Sequence, residues 1–319
     1  MSPTLPPTIA EITRNPGPFS GAFRFCQTGL RPTRAGWQYS RAEITDSTGS
    51  LTCNGWPRQF FPIPELPSMT VVKVTGSTRL FNNAIVADIA TLVPGPEMLT
   101  VETSLQLLPM AHCPIPALVP RLVAAIGTIA SANLRAFAGQ MLASDRIALP
   151  FLRVPASIGY HHPDPGGHLL HIVEGAELVA RIPDLSTEER DIALTGYVFH
   201  DVGKTETYDE TDYTKAGSLM SHDALTMELC APALAVLDQS WRDAALTLRH
   251  VWTCESPGSR YGFKSASIIA EIVSFADRLS AERDKQRRAF QRAPASETLC
   301  TMRRQRYWRP MAEQTAEQI

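Results

Sequence analysis

The sequence has 319 residues, of which 44% are hydrophobic and 19% charged, with a formal net charge of -2. This length predicts about two domains, and the composition is that of a globular protein. The charge argues against a protein coated throughout by nucleic acid, but it leaves local basic patches open. Six scattered cysteines without a CxxC pair argue against a disulfide framework or zinc ribbon and favour a reducing compartment. The N-terminus lacks an apolar signal-peptide core and no apolar run approaches ~18 residues, so we expect a cytoplasmic protein without a membrane span.

The first 95 residues are expected to form an extended arm and a small β-barrel. Prolines make residues 1–18 a loosely held arm. From residue 19 to 95, five short segments rich in β-branched and aromatic residues are bounded by Gly, Pro, Asn or Asp, which is typical of strands. Gly49 suits a hairpin loop, and a longer connection follows Trp56. This pattern predicts a closed barrel of the oligonucleotide/oligosaccharide-binding (OB) type.

Aromatic and basic side chains are interleaved along the predicted barrel, a combination that can stack bases and track phosphates. They are Phe23, Arg24, Trp37, Tyr39, Arg41, Trp56, Arg58, Arg79 and Phe81. We select Arg24, Trp37 and Tyr39 as candidate substrate contacts. Each single aromatic could instead belong to the barrel core, but the set as a whole favours single-stranded nucleic acid as the partner.

Helical patterns dominate residues 117–285, after a linker at residues 96–116 that holds a short helix. Ser186 and Glu189 form a capping box. The helices are expected at residues 118–142, 168–181, 186–200, 220–239, 241–253 and 265–284. Residues 286–319 form a basic tail, either solvated and frayed or in contact with nucleic acid. The predicted fold class is therefore multidomain α and β, with an OB-type barrel followed by an all-α domain.

His200 and Asp201 directly follow the apolar run at residues 192–199. Burying an imidazole or a carboxylate there without a partner would cost several kcal/mol. An exposed helix end, with Gly203 as its C-cap, is the alternative. The distribution of histidines favours a divalent-metal site, since seven of the eight fall within residues 161–250.

The candidate ligands lie on separate predicted helices, which can converge in a bundle. They are His171, His200, Asp201, His222, His250 and Asp277. Mixed imidazoles and carboxylates suit Mn²⁺, our first expectation, or Mg²⁺, Fe²⁺ or Zn²⁺, with one or two ions bound. A water deprotonated there could attack phosphorus in line. We expect Asp201 to be catalytic by bridging the ions, and Lys204 to contact substrate phosphate or hold Asp201.

The order His171, His200-Asp201 and Asp277 resembles the HD-domain metal-dependent phosphohydrolases. The segments PFLRVPASIGYHHPDPGGHLLH, FHDVGK, GSLMSHD and ITDSTGSLTCNGW are similar to YhaM-type 3′→5′ exoribonucleases, which place an OB-fold ahead of the HD domain. The resemblance covers about residues 20–285 and implies a two-ion site that releases nucleotides from single strands. It also assigns the pair His161-His162 to substrate phosphate. The HHPxPGGxLxH pattern is shared with HD-type relaxase regions of mobile elements.

One departure from that family is Glu255-Ser256-Pro257, where a His-His-Gly is common. Glu255 substitutes for a histidine ligand, or it lies in an exposed loop and the second ion is weak or absent. The leading hypothesis is a metal-dependent phosphodiesterase, a 3′→5′ exonuclease on single-stranded RNA or DNA. The alternatives are a nucleic-acid-binding or conjugation-associated relaxase-like protein, and a hydrolase of small nucleotides whose barrel serves homo-oligomer assembly.

Overall fold

The computed structural model describes residues 5–57, 63, 66–95, 99–254 and 262–310. A closed barrel of five strands comes first, and a bundle of helices and a short hairpin follow. The predicted fold class, a small barrel ahead of a helical domain, is confirmed. No helix within these ranges is both long enough and apolar enough to cross a membrane.

The barrel strands pair in the order β1-β2-β3-β5-β4. They are β1 (Pro18–Pro32), β2 (Gln38–Asp46), β3 (Gly49–Gly55), β4 (Thr70–Phe81) and β5 (Ala84–Pro94). β3 and β5 pair in parallel, and the other neighbours are antiparallel. Because successive side chains of a strand point to opposite faces, one set fills the interior, where Phe23, Ile44 and Val74 are fully buried.

The N-terminal segment differs from the loose arm predicted for residues 1–18. Residues 9–14 form helix α1 (Ile9–Arg14), and Thr8 begins it with a capping box. Ile9 and Ile12 are buried against the barrel core, and the Ile9 amide donates to Asp46 Oδ2 over 2.7 Å. The arm is therefore held to the barrel, because its two isoleucines outweigh the extending effect of the prolines.

Arg24 is not a substrate contact, which corrects the sequence prediction. Its side chain is fully buried and donates to the carbonyl oxygens of Leu107 at 2.9 Å, Met69 at 2.8 Å and Leu142 at 2.7 Å. Burial lowers the pKa of the guanidinium to about 10, a value at which it stays charged at neutral pH. Arg24 therefore connects the barrel to the helical domain through backbone carbonyls that would otherwise lack donors.

The described part of the predicted linker, residues 99–116, packs with the helical core. It contains helix α2 (Val101–Gln106) and a 3₁₀ turn at Met110–His112. Val101 and Leu108 are buried with the helices that follow. The segment is therefore packed, and its apolar residues account for this.

The helical domain contains the predicted helices, one of them divided in two, and three helices that were not predicted. Its helices are α3 (Leu118–Gly127), α4 (Ala132–Ala143), α5 (Asp145–Arg153), α6 (Gly167–Val179), α7 (Thr187–Phe199), α8 (Lys204–Thr207), α9 (Lys215–Leu219), α10 (His222–Ser240), α11 (Arg242–Thr253) and α12 (Ile268–Ala289). The single helix expected at 118–142 is two helices, because Ser131 starts α4 as an N-cap and Asp191 accepts the Ala130 and Ser131 amides. α5 was not predicted, since Pro150 lies inside it.

Residues 290–310 of the C-terminal segment are folded, which argues against the first of the two alternatives for the tail, a solvated and frayed segment, over these residues. Strands β6 (Leu299–Met302) and β7 (Gln305–Trp308) form a hairpin that contacts α12. Phe290 and Tyr307 are buried, and the Arg309 guanidinium lies 4.3 Å from the Phe290 ring centre. Aromatic side chains thus attach a basic hairpin to the end of the longest helix.

Candidate metal centre

Two helices and the two residues that follow a third bring four of the predicted ligands together. His171 lies on α6, His200 and Asp201 follow α7, and Asp277 lies on α12. One ligand atom from each of the four residues lies within 4.8 Å of the others. We call these four residues the metal group. Residues separated by more than a hundred positions in the chain therefore form one group, as the sequence analysis predicted.

The distances within this group suit a single divalent ion. His171 Nε2 lies 3.2 Å from Asp277 Oδ1 and 3.8 Å from Asp201 Oδ2. His200 Nε2 lies 3.2 Å from Asp201 Oδ2 and 3.7 Å from Asp277 Oδ1. Ligand atoms ~2.1 Å from an ion are separated by roughly 3.0–3.4 Å when they are adjacent. The four residues therefore fit a metal ion with little adjustment.

Both histidines turn the Nε2 atom towards the centre, because Nδ1 is engaged on the other side of each ring. His200 Nδ1 lies 2.6 Å from the carbonyl oxygen of Tyr197, to which it can only donate. His171 Nδ1 lies 3.1 Å from Ser280 Oγ, and that hydroxyl donates to Glu174 Oε2 over 3.1 Å. Both contacts favour the tautomer with a free lone pair on Nε2. Within the described ranges, these two Nε2 atoms are buried without a hydrogen-bond partner.

The charges of the group complement each other. Burial alone would raise the pKa of Asp201, but the neighbouring His200 and Lys204 charges bring it well below its usual range. The pKa of Asp277 is also lowered, because the effect of the adjacent His171 and His200 imidazoles outweighs that of its burial. For His200, burial lowers the pKa, but the Asp201 and Asp277 carboxylates together outweigh this effect and raise it to about 10. The carboxylates are therefore ionised, and a metal ion would displace the His200 proton.

Gly203 explains how the next helix approaches this group. Its φ of -59° is right-handed, so it is not the left-handed C-cap that the alternative interpretation required. A Cβ at this position would lie 2.0 Å from the His222 carbonyl oxygen. The Gly203 amide donates to Thr226 Oγ1, which in turn donates to the His200 carbonyl oxygen. The glycine therefore permits α10 to pack against the His200-Asp201 segment.

Of the other predicted site residues on the helices, Lys204 and His222 lie beside Asp201. The Lys204 ammonium is buried against Asp201 Oδ2. His222 Nε2 lies 3.4 Å from Asp201 Oδ1, on the side away from His171. His222 and Asp201 line one cavity of about 350 Å³, together with His200, Asp223 and Asp277. This cavity is open enough to admit a substrate group to the metal ligands.

His250 does not join the group, in contrast to the prediction. Its Nε2 accepts a hydrogen bond of 3.0 Å from the Ala266 amide. The imidazole therefore holds the segment that leads into α12, and its lone pair is used. Glu255, expected either to replace a family histidine or to be exposed, lies outside the described residues, as does Arg58.

Of the pair His161-His162, His161 is half-buried and His162 does not face solvent as a phosphate contact would. His162 is buried, with Nε2 3.3 Å from Ser280 Oγ, and its amide donates to Asp284 Oδ2. The His161 ring lies 5.4 Å from the His171 ring. Burial lowers the pKa of His161 to about 3 and that of His162 to about 4. Both imidazoles are therefore neutral at pH 7. His162 supports the metal group because it contacts Ser280, the residue that also contacts His171. This position corrects the assignment of His162 to substrate phosphate.

Three further residues belong to this region and were not selected from the sequence. Ser280 and Glu174 orient His171, as described above. His168 is fully buried against the edge of Phe151, and among the described residues neither of its ring nitrogens has a hydrogen-bond partner. Their spacing was the one sequence feature that could have indicated these residues. Each lies three residues from His171 or Asp277, and therefore on the same helix face as that ligand.

The barrel residues form a separate set. Trp37 is 66% exposed. Tyr39 stacks on Trp56, with ring centres 4.7 Å apart. Trp56 Nε1 and Arg79 Nε both donate to Asp88, and the Arg79 guanidinium lies 5.1 Å from the Phe81 ring centre. Of the two predicted aromatic contacts, Trp37 is thus exposed, whereas Tyr39 is half-buried and stacked on Trp56.

One protein-family model matches part of the helical domain. Residues 166–282 match the family model of the HD domain. No curated protein gives a match. A chain of a solved structure, a replication protein A heterotrimer bound to single-stranded DNA, is similar at 15% identity and a TM-score of 0.23, over 29% of this chain and 82% of that chain. The segment 166–282, which matches the HD domain, carries the His171/His200/Asp201/Asp277 group, and this match supports a metal-dependent phosphohydrolase.

Proposed function

We propose that the protein is a metal-dependent phosphodiesterase that shortens single-stranded nucleic acid from its 3′ end. The convergence of four ligands beside an open cavity is the observation that carries this proposal. The exposed aromatic residues of the barrel support a strand, rather than a small nucleotide, as the substrate. The exonuclease polarity rests on the resemblance to YhaM-type enzymes.

The residues of the chain have distinct roles in this reaction. His171, His200, Asp201 and Asp277 would hold a divalent ion, with Mn²⁺ as the first expectation. When bound, the ion would supply Lewis acidity and lower the pKa of a water molecule. Lys204 keeps Asp201 ionised and oriented. His222 lies on the cavity side of Asp201, where it can donate to a phosphate oxygen of the substrate.

The barrel would bind the strand away from the bond that is cleaved. Trp37 and Tyr39 offer apolar ring faces on which bases can stack, and Arg79 adds a positive charge beside Phe81. Stacking of this kind tolerates any base, so the barrel would hold strands without a sequence preference. Arg24 fixes the barrel to the helical domain, so a bound strand has a defined direction towards the cavity.

Incubation with labelled oligonucleotides tests this proposal. Single-stranded RNA and DNA labelled at the 5′ end are incubated with Mn²⁺ or with chelator, using wild-type protein and Asp201→Asn. We expect a ladder of 5′-labelled products that shorten with time, only for wild-type protein with metal. A blocked 3′ end should stop the reaction. Cleavage of circular strands would contradict the exonuclease, and hydrolysis of free nucleotides alone would favour the small-nucleotide alternative.

A further inference from the structure

The C-terminal hairpin, residues 299–308, forms a second cavity of about 200 Å³ with the loop that precedes α6. The cavity is lined by Tyr160, Lys285, Met302, Arg303, Gln305 and Tyr307. None of these residues lines the cavity beside Asp201. Two cationic side chains and an exposed aromatic ring thus surround a concave surface outside the metal group.

Arg303 is the cation that this cavity presents. Its guanidinium lies 4.6 Å from the Tyr160 ring centre, and Tyr160 is 62% exposed. Lys285 is partly neutralised, because its ammonium lies 2.7 Å from Glu282 Oε1. Over the part of the chain that the structure describes, no carboxylate forms an ion pair with Arg303, Arg304 or Arg306. The positive charge of Arg303 is therefore available to an anion.

The hairpin turn that carries Arg303 has a backbone conformation that is unfavourable for arginine. Arg303 and Arg304 both have positive φ angles, 51° and 69°. Two-residue turns with two positive φ angles normally use Asn-Gly or Asp-Gly, since side chains disfavour this backbone. Two arginines here place two guanidinium groups at the tip of the hairpin, next to the loop that holds Tyr160.

Two elements of the chain bring this cavity near the metal group. Tyr160 is followed by His161, whose ring lies 5.4 Å from that of His171. Along α12, Lys285 lies eight residues after Asp277, or about 12 Å along the helix axis. A strand whose scissile phosphate lies at Asp277 can therefore reach Arg303 with a phosphate a short distance away.

We infer that the cavity between Tyr160 and Arg303 binds a backbone phosphate of the single-stranded nucleic acid whose end occupies the metal centre. A guanidinium can donate two parallel hydrogen bonds to a phosphate, and stacking on Tyr160 holds its plane in position. This inference rests on the proposed function, since it assigns a contact to the same substrate. It adds a binding surface in the helical domain to the one on the barrel.

The test measures affinity for a fluorescent single-stranded oligonucleotide by anisotropy, in chelator so that no cleavage occurs, at several salt concentrations. The variants are Arg303→Ala, Arg303→Glu and Arg309→Ala. Arg309 is the matched control, because it also lies over an aromatic ring of this segment but does not line the cavity. Thermal unfolding of each variant checks that the hairpin remains folded.

We expect Arg303→Ala to weaken binding about fivefold and to reduce the slope of log Kd against log salt by about 0.7, the value for one phosphate on a single strand. Arg303→Glu should weaken binding further, and Arg309→Ala should bind as the wild type does. Wild-type binding by both Arg303 variants would overturn the inference and leave the proposed function intact. Equal losses in Arg303→Ala and Arg309→Ala would also overturn it. Absence of binding by wild-type protein would instead refute the proposed function, and the inference with it.

Discussion

The barrel and the helical domain use their polar and aromatic residues in opposite ways. In the helical domain, His171 is fully buried and His200 is 12% exposed, and each has one ring nitrogen fixed by a neighbour. On the barrel, Trp37 is exposed, and the Tyr39–Trp56 pair is half-buried. Chemistry at a metal ion needs ligands in fixed positions, whereas binding a strand needs accessible ring faces. The two regions should therefore respond differently to substitution.

The largest effect is expected at the metal group. Asp201→Asn removes a charged ligand that contacts His200, Lys204 and His222. Hydrolysis with Mn²⁺ should fall by on the order of a thousandfold or more, while oligonucleotide affinity in chelator should stay within about twofold, because the barrel is unchanged. Asp223→Asn is the control, since Asp223 lines the same cavity but lies outside the ligand group. Equal losses in the two variants would contradict the assigned ligands.

The junction between the two regions should show a stability effect and little else. Arg24→Met leaves carbonyl oxygens of both regions without their donor, so the free energy of unfolding should fall by about 3 kcal/mol. Urea unfolding followed by fluorescence measures this change. Arg41→Met, at an exposed position on the same barrel, should change stability by less than ~0.5 kcal/mol. If Arg24→Met were fully stable but bound strands poorly, the original assignment of Arg24 to the substrate would be restored.

Loss of the contact that orients His171 should have an intermediate effect, on metal affinity. Ser280→Ala removes the hydroxyl between His171 Nδ1 and Glu174 Oε2. Loss of such a contact to a ligating histidine typically lowers metal affinity about 10- to 100-fold. Titration of metal-free protein with Mn²⁺ should show this loss. Ser274→Ala, on the same helix, should bind Mn²⁺ as the wild type does, because the Ser274 hydroxyl contacts Arg278 rather than a ligand.

The smallest expected effect concerns one aromatic residue of the barrel. Trp37→Ala should weaken oligonucleotide binding about fivefold, the value of one stacked base. Hydrolysis of a small phosphodiester should not change, because Trp37 lies outside the metal group and its cavity. Leu80→Ala is the matched control, since Leu80 is also an exposed apolar residue of the barrel. The same loss of affinity in both variants would mean that general apolar surface, rather than ring stacking, holds the strand.

Sequence reasoning could identify the metal group because its members stand out individually. His171 and Asp277 are polar residues within apolar helical patterns, and His200-Asp201 ends such a pattern. Their convergence follows from helix packing, which the periodicity already implies. Alternation along the strands likewise predicted the barrel.

Other assignments failed because they depend on tertiary partners. In the sequence, Arg24 lies between apolar residues as many polar residues of a barrel strand do. Only its contact with the Leu142 carbonyl oxygen shows that its charge is buried. His250 lies on an amphipathic helix, but its lone pair is taken by the Ala266 amide. Ser280 carries no distinguishing sequence signal except its spacing from Asp277. The basic tail folds because Phe290 and Tyr307 find apolar contacts.

Titration of metal-free protein with Mn²⁺, followed by electron paramagnetic resonance of the free ion, tests the central claim most directly. That claim is that His171, His200, Asp201 and Asp277 form a divalent-metal site. We predict at least one bound ion per chain for the wild type, and loss of that ion in Asp201→Asn and in His171→Ala. Wild-type protein that binds no Mn²⁺, Mg²⁺, Fe²⁺ or Zn²⁺, or binding that is identical in both variants, would contradict it.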